Sequence, residues 1–287
     1  MKNRNLVLLV CLTLLSGGLI TACKSKTVSD KPKIFVTIEP LRYFAEQIAG
    51  HYFDIESMVP KGNNPETYDP TPRQLMALAD SKAYLSIGNL GFEKQWIPKL
   101  KENASNVKFC DTSLGINYLE SSHQHENKDD YDPHIWTTPS NAAIIVKNIS
   151  NLFCELDPQH QEEYIKNQMQ LLTMIQQTDA EIRGIVSDGI QETFAIYHPS
   201  LTYFAHDYGI EQLCIEDNGK EPSPVHLKEL INQCRSEQVK VVFVQQEFST
   251  HNAEIIANEL KAKLVTINPL NYNWQEEIIK IARNLKK

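Results

Sequence analysis

The sequence predicts an α/β fold of two lobes, each a parallel-type sheet flanked by helices, joined by one long helix. Three observations predict it. Strand-like and helix-like runs alternate from Lys33 to the end of the chain, the rhythm of βαβ units. That rhythm breaks once, at residues 120–133, "ESSHQHENKDDYDP", which is polar, charged and almost free of aliphatics, and reads as an exposed loop. Beyond it, a stretch from Asp157 to Gly189 carries a single apolar stripe far longer than a crossover helix needs.

In the first lobe, "KIFVTI" (33–38) reads as a strand and "LRYFAEQIAG" (41–50) as a helix stopped by Gly50. "FDIESMV" (53–59) is a second strand, and "PRQLMALADS" (72–81) a helix with Pro72 at its start. "AYLSIG" (83–88) and "VKFCD" (107–111) are further strands, and a helix follows at about 139–155. In the long stretch Asp157 is the expected cap, Pro158 the first helical residue and Gly189 the stop. Ile165, Met169, Leu172, Ile175, Ile182 and Ile185 form its stripe. Roughly 30 residues at 1.5 Å each span about 45 Å. The second lobe repeats the alternation. Strands are expected at 192–197, 210–215, 239–245 and 263–267, with helices ending at Tyr208 and at 224–235, 250–261 and 273–286. The expected domains are therefore 33–156, a linking helix 157–189, and 190–287. Ligands of open α/β sheets bind beyond the carboxyl ends of the strands, so both lobes can face one cleft.

The first 22 residues are not part of this fold. Lys2 and Arg4 precede an apolar run from Leu6 to Leu15, too short to span a membrane, and then "GGLITAC". The pattern is that of a secretory signal, and "LITAC" resembles a bacterial lipobox. That resemblance implies cleavage before Cys23 and acylation of its thiol, with 23–32 a polar tether to the lipid bilayer. The protein is then expected at the extracytoplasmic face of the cell envelope. Cys110, Cys154, Cys214 and Cys234 remain, and four cysteines allow three disulfide pairings. No Cys-x-x-Cys is present to suggest a thiolate zinc site. The net charge of −8 argues against a nucleic-acid partner.

The chemistry-bearing residues sit in stiffened loops. "PETYDPTP" (65–72) holds three prolines, which exclude a helix interior or a central strand, and presents Glu66. His134 lies in "YDPHIW", beside a proline and an aromatic residue, and His198 lies in "AIYHPS", between a strand and a proline. Imidazole and carboxylate are the common zinc ligands outside thiolate sites, and rigid loops reduce the entropy lost in gathering distant ligands. The three residues form either one shared metal site or three separately hydrogen-bonded polar groups.

Over essentially all of 33–287 the chain resembles the zinc/manganese-type solute-binding proteins of bacterial ABC importers, especially the zinc-uptake members. The first-ligand motif of that family is Pro-His followed by an aromatic-acid-Pro-Thr-Pro tail; here it reads "PETYDPTP", with Glu66 at the histidine position. "DPHIW" matches the second motif and supplies His134; "YHPSLTYFAHDYGI" matches the third and supplies His198. The family's fourth position is the aspartate of an Asp-Pro-Leu turn, and here the turn is "NPL", with Asn268. The family often carries a histidine-rich loop before the second ligand, where His123 and His125 lie. The resemblance implies a monomeric receptor that binds Zn²⁺ through Glu66, His134 and His198 and delivers it to a membrane permease. Glu66 in place of histidine makes the donor set richer in oxygen, which favours Mn²⁺ more than an all-histidine set does. Water, Asn268 or another acid such as Glu247 is left for the fourth position. A metal-dependent adhesin is the alternative the resemblance permits. A zinc hydrolase is the other alternative, but the chain has no His-Glu-x-x-His, deaminase or nucleophile-elbow motif.

Overall fold

Two four-stranded sheets, all parallel, carry the architecture. In the computed structural model, residues 31–121, 131–217 and 219–287 are described, and Lys31–Lys287 make one compact unit. The expected signal peptide and the anchor at Cys23 lie outside the described residues, as do His123 and His125. The first sheet is built from β1 (Lys33–Val36), β2 (Asp54–Ser57), β3 (Ala83–Ser86) and β4 (Lys108–Asp111), in the order β2-β1-β3-β4. The second is built from β5 (Thr193–Ile196), β6 (Glu211–Cys214), β7 (Val241–Gln245) and β8 (Lys263–Ile267), in the order β6-β5-β7-β8. The two sheets thus share one winding, second-first-third-fourth, although the sequence shows no internal repeat. In both, the order reverses beside the first strand, the place where open α/β sheets bind ligands.

Helices α1 (Glu39–Ala49), α2 (Pro72–Ala79), α3 (Gly91–Asn103) and α4 (Pro139–Leu156) accompany the first sheet. Helices α6 (Thr202–Tyr208), α7 (Pro224–Ser236), α8 (His251–Leu260) and α9 (Trp274–Leu285) accompany the second. Their ends follow local chemistry. Gly50 takes a positive φ of 58° at the end of α1. Thr71 and Gln74 form a reciprocal capping box in front of α2, with Pro72 as its first residue. Ser223 caps α7 through the His226 N–H.

The long helix α5 (Gln161–Ser187) follows a short 3₁₀ turn at Pro158–His160. Two details differ from expectation. Asp157 does not cap the backbone; its carboxylate accepts from Tyr164 Oη at 2.7 Å and meets the His160 ring at 2.6 Å. The buried stripe is Tyr164, Leu171, Ile175, Thr178 and Ile182, while Ile165 and Met169 are 46% and 64% exposed. The first turns of α5 thus run past the core, and only Tyr164 reaches back into it. Helix α3 was not expected from the sequence: Pro98 lies inside it and its apolar face is weak.

The core crosses between the sheets. Side chains alternate along each strand, so Ile34 and Val36 of β1, Phe194 and Ile196 of β5, and Val241 and Phe243 of β7 all enter one continuous apolar cluster. Phe35, and separately Ala195, Val242 and Val244, face two smaller clusters on the outer sides. α5 packs against α1 and α4 and also against α9, so it binds both halves. All four described cysteines stand as free thiols, and none of the three possible pairings is formed.

Candidate metal centre

Loops at the carboxyl ends of the strands bring the predicted residues to one place. His134 opens the 3₁₀ turn Ile135–Thr137 and is 6% exposed. His198 follows β5 and is half-buried. Their Nε2 atoms lie 3.2 Å apart, with ring centroids 5.0 Å apart. A carboxylate sets each ring from behind. Asp132 Oδ1 stands 3.0 Å from His134 Nδ1 and also accepts the His134 N–H at 2.8 Å. Glu216 Oε1 stands 2.8 Å from His198 Nδ1. An ionised carboxylate only accepts, so each Nδ1 is the donor to it, and the two Nε2 atoms share one proton in a hydrogen bond whose place a metal ion can take.

Both supports are themselves built in. Asp132 and Glu216 are 1% and 5% exposed. Asp132 accepts from Thr202 Oγ1 at 2.6 Å, and its main-chain oxygen accepts from Tyr203 Oη at 2.9 Å, so α6 holds the loop that carries His134. Burial pushes the Asp132 carboxyl up, but the His134 ring and the donors around it prevail and hold it below the usual carboxylate range. Burial likewise works against a charged His134. Asp132, then Glu66 and Glu216, outweigh it and raise that imidazole above its ordinary pKa. On the other ring, Phe248 stacks on His198 with centroids 5.2 Å apart and planes 20° from parallel. Gln245, at the end of β7, donates to His198 O and Ser200 Oγ and accepts the His198 N–H, fixing the backbone of that loop.

Glu66 reaches the same cavity from the proline loop. Its Oε2 accepts the Gly91 N–H at 2.9 Å, at the first residue of α3, and its Oε1 is buried without a hydrogen-bond partner. Only glycine fits opposite it, because a Cβ on residue 91 would lie 2.5 Å from Glu66 Oε2 and 2.9 Å from its main-chain oxygen. Glu247 lines the cavity as well; its Oε1 is also buried without a partner, and burial raises its pKa. The space between them is about 30 Å³ and opens to solvent on one side, room for an ion with a water. A wider cleft of about 270 Å³ also reaches Glu66, His134 and His198, with Lys94, Tyr131 and Glu216 along its walls. Among the described residues, no three His, Cys, Asp or Glu side chains already stand together as a finished ligand set. The two imidazoles are in place; the carboxylates line the cavity, with Glu66 turned to Gly91.

Sequence reasoning missed Asp132, Glu216, Gly91 and Gln245. Asp132 was within the quoted "DPHIW", and Glu216 follows an expected strand immediately. Gly91 and Gln245 left no local signal.

A family model described as ZnuA, zinc-uptake complex component A, periplasmic, matches residues 34–286. The high-affinity zinc uptake system protein ZnuA of Bacillus subtilis is 27% identical over 286 residues, covering 94% of this chain and 89% of that protein. The zinc-binding lipoprotein AdcA of Streptococcus pneumoniae is 25% identical over 272 residues, 90% of this chain but 54% of AdcA. A crystal structure of a ZnuA superimposes with a TM-score of 0.83 at 36% identity, covering 88% of this chain and 97% of that one. With the matched residues running through both sheets and every loop of the cavity, the chain belongs to the family of ZnuA, the periplasmic component A of zinc-uptake complexes.

Proposed function

We propose that this protein is an extracytoplasmic zinc receptor that captures Zn²⁺ through Glu66, His134 and His198 and delivers it to the permease of an ABC importer. One observation carries the reading: the 3.2 Å between the Nε2 atoms of His134 and His198, each ring backed by a buried carboxylate. Two nitrogens bound at about 2.0–2.1 Å to one tetrahedral zinc stand roughly 3.3 Å apart, so the rings are preset at ligand spacing. The carboxylate–imidazole pairing is the outer support that metal-binding histidines ordinarily have. The orphaned oxygen of Glu66 supplies an anionic donor beside them.

The halves 33–156 and 190–287 hinge little about 157–189 in this reading, since they share one core. Release then depends on the permease drawing His198 away from Glu66 and His134. A receptor of this kind works as a monomer and needs ligands and a cleft, not a general base. The lipobox at Cys23 gives it an anchor in the bilayer, a reading supported by the lipoprotein AdcA among its relatives. Cys23→Ser is expected to release the protein from membrane fractions.

Zinc titration of purified protein tests the site. His134→Ala and His198→Ala are each expected to weaken zinc binding by orders of magnitude, and wild-type affinity in either would refute the shared site. Growth of a deletion strain under zinc limitation tests the transport role.

A further inference from the structure

We infer that Glu247, rather than Asn268, supplies the fourth donor of this metal centre; the inference rests on the zinc-site reading above. Asn268 is committed elsewhere. Its Oδ1 accepts the Leu270 N–H at 3.1 Å, closing a turn on itself, and its own N–H donates to Glu277 Oε1 at 2.8 Å. From that turn it is Pro269 and Leu270 that line the cavity, an apolar wall where a donor would have to be.

Glu247 is placed differently. It lies two residues past the end of β7, in a turn closed by the Phe248 N–H donating to Gln245 O at 3.1 Å. That turn puts Gln245 on the backbone of His198 and Phe248 on its ring face, and Glu247 lines the same cavity as the ring. Glu247 Oε1 is buried without a hydrogen-bond partner, as is Glu66 Oε1 in the same cavity. A buried carboxylate oxygen without a donor is costly, and two of them beside one ion-sized space and two imidazole nitrogens share one remedy: a single cation.

Charge favours the same assignment. Two neutral imidazoles and one carboxylate leave Zn²⁺ with a net charge of +1 in a small, partly buried cavity. A second carboxylate brings the centre to neutrality, and burial of an uncompensated charge is what such sites avoid. The chain therefore keeps a two-nitrogen, two-oxygen donor set while lacking an aspartate at position 268.

The test uses the full chain, titrated with Zn²⁺ against a chromophoric chelator and with Co²⁺ as a spectroscopic probe. Wild type is expected to bind one zinc ion and to give the intense visible bands of four-coordinate cobalt. Glu247→Gln, nearly isosteric, is expected to lose at least the roughly 10–100-fold that removing an outer-shell partner costs, and to change the cobalt spectrum. Asn268→Ala is expected to leave both unchanged. Wild-type zinc affinity and cobalt bands in Glu247→Gln would overturn the inference, and a loss confined to Asn268→Ala would move the fourth donor to that turn. Wild type that binds no zinc would overturn the site reading itself, a failure that the two variants alone cannot produce. Thermal midpoints of the metal-free proteins confirm that each variant folds.

Discussion

The indole N–H of Trp274 donates to the main-chain oxygen of Trp136 at 2.7 Å, across 138 residues of sequence. Trp136 answers by donating its own indole N–H to Pro269 O at 2.8 Å, and both rings are 1% exposed. Trp136 lies two residues past His134, and Pro269 lines the cavity, so this double clasp joins the loops on either side of the site. Trp274→Phe keeps an aromatic ring against Phe44 but removes the donor. Leaving a buried carbonyl unsatisfied costs about 1–3 kcal/mol, and the urea midpoint is expected to fall accordingly. An unchanged midpoint would show that the clasp carries no stability.

Gly91→Ala tests whether the position of Glu66 matters to binding. Gly91 starts α3, where alanine is favoured over glycine by roughly 0.5–1 kcal/mol, so the helix itself does not object. The new Cβ instead displaces Glu66, whose Oε2 would be 2.5 Å away. Zinc affinity is expected to drop roughly 10–100-fold, as for loss of an outer-shell partner, and the melting temperature of the metal-free protein to fall as well, because the Cβ also meets the Glu66 main-chain oxygen at 2.9 Å. Equal zinc affinity in the two proteins would mean that the position of Glu66 is irrelevant to binding.

Glu216→Gln removes the charge behind His198 and keeps the shape. The glutamine oxygen still accepts from Nδ1, but under the proposed zinc site the ring becomes a weaker ligand. An affinity loss of roughly 10–100-fold is expected in competition titrations, with apo stability nearly preserved. A wild-type result would leave the 2.8 Å contact as packing alone.

What the sequence made legible were features with local causes. The strands of both sheets, the proline-started helices and the glycine stops each come from a few adjacent residues, and the structure keeps them with ends shifted by a residue or two, except that Pro158 opens a 3₁₀ turn and α5 begins at Gln161. Helix α3 was lost because Pro98 and a thin apolar face hid its period. The burial of α5 was misjudged at Ile165 and Met169 because a regular stripe cannot reveal where the neighbouring helix stops. At the site, the candidate residues were readable from proline-flanked loops and family motifs. The supports were not: Glu216 is 18 residues from the histidine it orients, and Gly91 is 25 from Glu66. Such pairings exist only once the sheets have wound.

Glu93 gives the fold a pH dependence of its own. It is 2% exposed and sits between Thr37, Tyr84 and the loop after β3, with Asp111 nearby. Burial raises its pKa from 4.5 to about 7, against the lowering effect of donors from Thr37, Ile87 and Gly88. Because the folded pKa exceeds the unfolded one, the native state binds more protons between these values. The stabilising contribution is full below about 4.5 and is lost as pH rises through about 7. The difference across that window is up to about 3 kcal/mol. Glu93→Gln is expected to flatten this part of the stability–pH curve measured by urea unfolding of the metal-free protein. Its overall stability falls as well, since an amide offers one acceptor where the carboxylate served two backbone donors. A slope equal to that of wild type would place the titration elsewhere.

Glu66→His restores the residue that the family motif carries in the proline loop. The swap exchanges a hard anionic oxygen for a neutral nitrogen. Zinc should still bind, and manganese should bind less well, because imidazole suits zinc and carboxylate suits manganese. The response to acid should shift too. A histidine ordinarily titrates near 6.5 and a glutamate near 4.3, so protons compete with the metal from a higher pH in the variant. Glu66→Ala should be worse than either protein, because it leaves only the two imidazoles and whatever oxygen Glu247 brings. Parallel zinc and manganese titrations at two pH values read all three effects. Wild-type zinc affinity in Glu66→Ala would reduce "PETYDPTP" to a surface turn that happens to border the cavity.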